Sequence, residues 1–392
     1  MCIRDSAQVV KLLHEHGAQV DLQDNDGRSA LMLASANGHT EVVKQLHEHG
    51  AQIDLQDNNG WSALMVASAN GHTEVVKLLH EHGAQVDLQD NDGQSALMVA
   101  SHNGHSEVVK LLHKLGARID LQDNDGRSAL NFASHNGHTE VVKLLHEHGA
   151  QVDLQDNDGW SALMVASHNG HAQVVKLLHE HGAQVDLQDN DGRSALIAAS
   201  LNGHTEAVTL LREYGAQVDL QNNDGWSALM VASQNGHTEV VKLLREYGAQ
   251  VDLQKNDGWS ALMLASQNGH TEVVKLLHEH GCQVDLQDND GWSALMVASQ
   301  NGHTEVVKLL HEHGAQVDLQ DNDGWSALMY AHQNGHTKII KLLQDFLSGN
   351  QNHSILQESH DTNSNDNFEL QSQSDKEKEK VSNRPIYNSV CG

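Results

Sequence analysis

The feature that most constrains this chain is its period. Residues 288–320 read DNDGWSALMVASQNGHTEVVKLLHEHGAQVDLQ, and close variants begin at 24, 57, 90, 123, 156, 189, 222, 255 and 321. The spacing is 33 residues throughout, without insertion or deletion, so residues 24–320 hold nine full units and 321–347 a shortened tenth. A unit this small cannot bury an apolar face by itself, but stacked copies bury each other's. The period therefore predicts a solenoid, with contacts only between neighbours.

The pattern inside one unit gives its local structure. Ser293 stands where an N-cap belongs, ahead of a first short helix carrying Leu295, Met296 and Ala298 at helical spacing. Gly302 interrupts it. TEVVKLLHEH follows as a second helix, with Val306, Val307, Leu309 and Leu310 on a broad apolar face. Gly314 occupies the left-handed position that stops helices. AQVDLQDNDG then reads as an extended stretch closed by Asp/Asn/Gly turn chemistry, a hairpin-like loop.

Over residues 7–347 the chain resembles the ankyrin-repeat family. The resemblance rests on Asp288 and Gly291, on the turn Asn301-Gly302-His303, on the V-V-x-L-L run and on the closing Gly-Ala. It implies an all-α repeat solenoid of helix-turn-helix units with hairpin-like loops. It also implies partner binding along a concave face lined by loop tips and first helices, and N-G-H imidazoles bonded to backbone at the turn. The family's Thr-Pro-Leu-His tetrapeptide appears here as Ser293-Ala294-Leu295-Met296. Serine keeps the cap, alanine gives up the proline that preorganises the first turn, and methionine reads as a soft apolar filler.

Ten copies in one chain allow an internal comparison. After the loop glycine stand Arg28, Trp61, Gln94, Arg127, Trp160, Arg193, Trp226, Trp259, Trp292 and Trp325, which include all six tryptophans. Near the end of the first helix stand Ala36, Ala69, His102, His135, His168, Leu201, Gln234, Gln267, Gln300 and Gln333. These two columns vary while the core positions scarcely change. The candidate partner-binding residues are the six tryptophans, Arg28, Arg127, Arg193, His102, His135, His168, Gln234, Gln267, Gln300 and Gln333. Two readings of the indoles stand side by side. They form a ladder of binding anchors at about the 8–10 Å spacing of packed helices, or each covers a neighbouring loop with one edge wet.

Composition excludes several function classes. A formal net charge of −29 argues against nucleic acid and against anionic membrane surfaces. No stretch approaches the roughly 20 apolar residues of a membrane span, and no secretory signal opens the chain. Cys2, Cys282 and Cys391 make no disulfide framework, which suits a reducing, cytoplasmic setting; Cys282 reads as a buried substitution for alanine. There is no G-x-S-x-G, no phosphate loop and no cysteine beside an obvious base, so catalytic, cofactor and metal sites are all expected to be absent. The 31 histidines do not alter that expectation. Those in H-E-H are two apart, on nearly opposite sides of a helix, whereas zinc on a helix wants a spacing of four. They outnumber the 29 excess negative charges, however, so mild acidification should collapse the surface potential.

The two ends differ from the middle. Tyr330, His332, Lys338, Ile339, Ile340 and Phe346 make 321–347 an expected C-terminal cap, and the polar text of 348–392 an expected disordered tail. Residues 7–23 repeat 172–188 letter for letter, entering a unit at its second helix. MCIRDS before them is what ATG TGT ATA AGA GAC AG plus one base encodes, the text of a transposase library adaptor. Residues 1–6 are accordingly expected to be a sequencing-adaptor artefact. The functional expectation is a monomeric, non-enzymatic interaction scaffold for a basic or neutral protein. The alternatives are the regulatory or targeting array of a larger, N-terminally truncated signalling protein, and a pH- or metal-responsive histidine-rich scaffold.

Overall fold

A computed structural model describes residues 4–358, with side chains over 7–348. The described chain is an all-α repeat solenoid of 21 helices, with isolated antiparallel bridges such as Gln287 to Ser293 where the loops close. In the unit beginning at 288 the first helix is Ala294–Asn301 and the second Thr304–Glu312. The same pair recurs at the 33-residue spacing, for example as Ala129–His135 and Thr139–Glu147. First helices pack on the first helices of adjacent units, and second helices on second helices. The chain divides at 346/347.

First helices from Ala30–Ala36 to Ala294–Asn301 start because a serine satisfies a donor that the helix cannot, whereas Ser326, ahead of Ala327–Gln333, makes no side-chain cap bond. Ser293 adopts an extended backbone and its hydroxyl accepts from the Met296 N–H at 3.4 Å. The methionine does more than fill space. Its Sδ lies 3.5 Å from the Ser293 N–H, and at Ser29 the same contact to Met32 is 3.4 Å. Sulfur is a weak acceptor, yet here it occupies the return arm of a capping box. Asn131 makes the stronger version, its Oδ1 accepting from the Ser128 N–H at 3.1 Å and hydroxyl at 2.7 Å.

The core is a continuous band. Leu295, Met296, Val297 and Ala298 of the first helix, with Val306, Val307 and Leu310 of the second, are all essentially solvent-free. Burial of such side chains contributes about 1.5–3 kcal/mol each, repeated along the stack. In the first helix, Arg4–Glu15, Leu13 is exposed, whereas its equivalents Leu46 and Leu79 are buried.

Two glycines per unit stop helices in different surroundings. Gly104 has φ +76°, and a Cβ there would sit 2.6 Å from Nδ1 of His138 in the next unit. Gly116 has φ +93°, and a Cβ there would meet nothing within 4 Å. The last helix runs Thr337–Glu358, so the expected tail boundary at 348 falls inside a helix. Residues 1–3 of the expected artefact and 359–392 of the expected tail lie outside the described residues.

Candidate interaction surface

The loops are built before they are decorated. Asp57 Oδ1 accepts from the backbone N–H of Asn59 at 2.9 Å and of Trp61 at 2.8 Å, closing the turn on its own side chain. The Asp57 N–H donates to Trp61 O at 3.0 Å. Neighbouring loops are then tied together. Asn58 Nδ2 donates to Asn25 O at 3.0 Å, the Asn58 N–H to Asp26 O at 3.0 Å, and Gln56 Nε2 to Gln89 O at 2.9 Å. The same bonds recur up the stack, for example Asn289 Nδ2 to Asn256 O at 3.0 Å. Each variable side chain is thus mounted on a fixed, hydrogen-bonded frame.

Arginine tips are self-neutralised. Arg28 Nη2 lies 2.9 Å from Asp24 and 2.7 Å from Asp26, and Arg127 Nη2 lies 2.9 Å from Asp123 and 2.8 Å from Asp125. Arg193 lies 2.8 Å from Asp189 and 2.9 Å from Asp191. Hydrogen bonds from the Arg28 backbone and guanidinium hold the Asp24 carboxyl below its usual range.

The tryptophan row is not a bare ladder. Five of the six indoles are half-buried, and Trp325 is 38% exposed. Among the described residues the indoles meet other groups rather than each other. Arg193 lies 5.5 Å from the Trp160 ring centre, and Lys255 Nζ lies 5.2 Å from Trp226 and 5.9 Å from Trp259. Tyr330 sits between the last two, 4.2 Å from Trp292 and 5.4 Å from Trp325, with its hydroxyl donating to Asp321. Lys255 and Tyr330 were missed as members of the row. Lys255 is visible in the sequence as the one cation at a loop position otherwise Asp or Asn.

The helix-end column joins the same surface. His168 stands edge-on to Trp160 at 5.3 Å and His102 edge-on to Phe132 at 5.9 Å. Burial, followed by neighbouring histidines, lowers the pKa of both. His102, His135 and Gln333 are exposed, while His168, Gln234, Gln267 and Gln300 are half-buried. Their carbonyls serve the frame. His138, His171 and His204 each place Nε2 2.9 Å from the O of His102, His135 and His168 respectively. The same bond runs from His270 to Gln234 O at 2.9 Å, from His303 to Gln267 O at 2.8 Å and from His336 to Gln300 O at 2.9 Å. The N-G-H imidazoles therefore bond backbone across the repeat interface.

The H-E-H histidines meet in a way that the column comparison overlooked. The first histidine of one unit stacks on the second of the next. Ring centres are 4.1 Å apart for His14 and His49, 3.8 Å for His47 and His82, and 3.9 Å for His113 and His148. They are 3.7 Å apart for His146 and His181, and 3.5 Å for His278 and His313. Elsewhere the partner is Tyr214 under His179 at 3.8 Å, or Phe346 under His311 at 3.6 Å. Nδ1 of His146 and Nε2 of His181 are buried without a hydrogen-bond partner. Burial, then the stacked neighbour, lowers the pKa of His82, His113, His181 and His313.

Among the described residues no three His, Cys, Asp or Glu side chains converge to hold a metal ion, and no helix is long and apolar enough to cross a membrane. Cys282 is buried and its thiol is pushed up to about 12. Comparison with curated proteins gives no significant match. The family model described as ankyrin repeats, three copies, matches residues 1–90, 82–156, 145–222, 214–288 and 274–354 in overlapping succession. With that coverage, and with helix pairs, tied loops and histidine-bonded turns recurring every 33 residues, the chain belongs to the ankyrin-repeat family.

Proposed function

We propose that the chain is a non-enzymatic scaffold that holds a protein partner against the row formed by its loop tips and first-helix ends. Ankyrin repeats are in general protein–protein interaction modules. One observation carries the finer reading: the side chains that vary between units are mounted on a frame of hydrogen bonds that recurs from unit to unit, with Asp257 taking over the turn bond where Lys255 replaces the acid. Such an arrangement presents Trp, Arg, His and Gln in a rigid series, which keeps the ordering cost of binding low. With tips rich in aspartate and a net charge of −29, the partner is basic or neutral.

The test uses the full chain as bait, followed by cross-linking to map the captured protein. Trp259→Ala with Trp292→Ala should weaken capture by about tenfold or more, as hot-spot truncations do, with little change in the thermal transition. Unchanged capture accompanied by a large stability loss would show that the indoles only cover their loops. A second reading, a pH-responsive scaffold, is favoured by the five stacked histidine pairs; its test is the acid titration described in the Discussion.

A further inference from the structure

Among the described residues the indole row contains one slot, at Asp288, with a tryptophan in its own unit and in the preceding one and neither a cation nor a tyrosine hydroxyl bonded to its carboxylate. At the other loop carboxylates next to an indole the surroundings are different. The tip of the unit before Asp57 is Arg28 and that before Asp156 is Arg127, Arg193 pairs with Asp189, and the Tyr330 hydroxyl bonds Asp321. Asn222 is uncharged, and at 255 the acid is replaced outright by lysine. Asp90 also lacks a cation, but its unit carries Gln94 at the tip, so only the preceding unit offers an indole.

Asp288 shares its turn bonds with Asp57 and Asp156 and differs from them in having an indole on either side. Its Oδ1 accepts from the N–H of Asp290 at 2.9 Å and of Trp292 at 2.7 Å, while no described residue donates to Oδ2. Burial raises its pKa against the lowering by the N–H bonds from Trp292 and Asp290, and the nearby negative charges of Asp290 and Asp257 add to the rise. Tryptophans stand in its own unit and in the preceding one, Trp292 and Trp259.

The preceding unit shows what such a slot holds. Position 255 has the same backbone frame: the Lys255 N–H donates to Trp259 O at 3.0 Å, as the Asp288 N–H donates to Trp292 O at 3.0 Å. There the ammonium of Lys255 lies 5.2 Å from one indole and 5.9 Å from the next, and pairs with Asp257. Moving that arrangement on by one unit places a cation between Trp259 and Trp292, beside Asp290, with Asp288 beneath. At this point the chain provides an anion instead, which leaves the cation's place open to a group from outside.

We infer that the slot between Trp259 and Trp292, floored by Asp288, receives a lysine or arginine side chain of the partner, in the place that Lys255 fills one unit earlier. The inference rests on the loop row being the docking surface, and narrows the partner to one that projects a basic side chain at this point. Indole faces attract the cation, and a carboxylate with an open oxygen adds a charge-assisted bond.

The probe is acetyl-Gly-Gly-Arg-Gly-Gly-amide, titrated into the full chain with tryptophan indole N–H signals read by NMR at near-physiological salt. A norleucine peptide of the same length is the control. The Trp259 and Trp292 signals should move with the arginine peptide and stay still with the control. Asp288→Asn should weaken binding by about tenfold. Asp288→Lys, which copies the natural Lys255 arrangement and so suits the fold, should abolish it by filling the slot from within. Equal shifts at all six indoles, no shift at Trp259 and Trp292, or a response that persists in Asp288→Lys would each overturn the inference. If Asp288→Lys leaves partner capture intact while the Trp259→Ala/Trp292→Ala pair abolishes it, the slot fails and the docking surface stands.

Discussion

The clearest test of the repeat interface is a pair of alanine substitutions that share a backbone penalty and differ in what lies ahead of the new methyl. Gly104 and Gly116 both have positive φ, +76° and +93°, so either substitution forces an L residue into the left-handed region at about 1–2 kcal/mol. For Gly116→Ala that is the whole cost, since nothing lies within 4 Å. At Gly104 the methyl would stand 2.6 Å from Nδ1 and 2.8 Å from Cε1 of His138, whose other nitrogen bonds His102 O at 2.9 Å. The ring has to move and that bond is lost, adding about 0.5–1.5 kcal/mol, and more if the His102 carbonyl is left unsatisfied. The expected cost of Gly104→Ala is therefore about 1.5–3.5 kcal/mol before any penalty for the carbonyl. Urea unfolding gives the totals. Amide hydrogen exchange in the two flanking units shows whether the loss is local, which matters because long repeat arrays depart from two-state behaviour. In a His138→Ala background, Gly104→Ala should fall back to the cost of Gly116→Ala. Equal costs for the two glycines, or no relief without the imidazole, would refute the reasoning.

The stacked histidines make stability pH-dependent. The pKa values of His82, His113, His181 and His313 lie below the ordinary 6.5, so the unfolded chain takes up protons first. Their contribution is complete above about pH 6.5 and declines as pH falls through and below that value; nearby Glu48 and Glu81 oppose the shift at His82. His148→Tyr with His181→Tyr, copying the natural His179–Tyr214 stack, should flatten the decline in urea midpoints between pH 7.5 and 5.5. An unchanged slope would show that the stacks do not carry it. In a Cys2→Ser/Cys391→Ser background, Cys282 should resist thiol reagents at pH 8 in the folded chain and react only as the array unfolds, because its thiol is buried and titrates at about 12. Rapid labelling without unfolding would contradict that burial.

The fold was legible in the sequence because one number, the 33-residue period, dictates the stacking, and serine caps and glycine stops place the helices within it. The contacts between units were less legible for a geometric reason. Aligning copies compares residues 33 apart, but the residues that touch are offset differently. His47 stacks on His82, the Gln52 N–H reaches Asp21, and His72 bonds Ala36 O. A comparison by column therefore separates the first and second H-E-H histidines, although the pair at each interface is one from each. In the sequence Met296 reads as filler because a thioether carries no obvious polar task, and the position of its sulfur beside the Ser293 N–H reveals one. The indole row was legible as a column, but not as a series of slots with different occupants. Lys255 and Tyr330 enter those slots from other columns.

The ties between loops also bear on how this chain can change. Every junction uses nearly the same donors and acceptors, so excising one internal unit, for instance 189–221, would bring Asp156 and its neighbours against Asn222 and its neighbours with matching bonds available. Length is then an adjustable quantity, and any such change also alters the order of side chains along the row. Removing that unit would bring Trp160 and Trp226 into adjacent loops and delete Arg193 from between them. The loop ties make the units close to interchangeable tiles, and on the proposed function a change in their order would alter the row of side chains offered to a partner more than the cohesion of the stack.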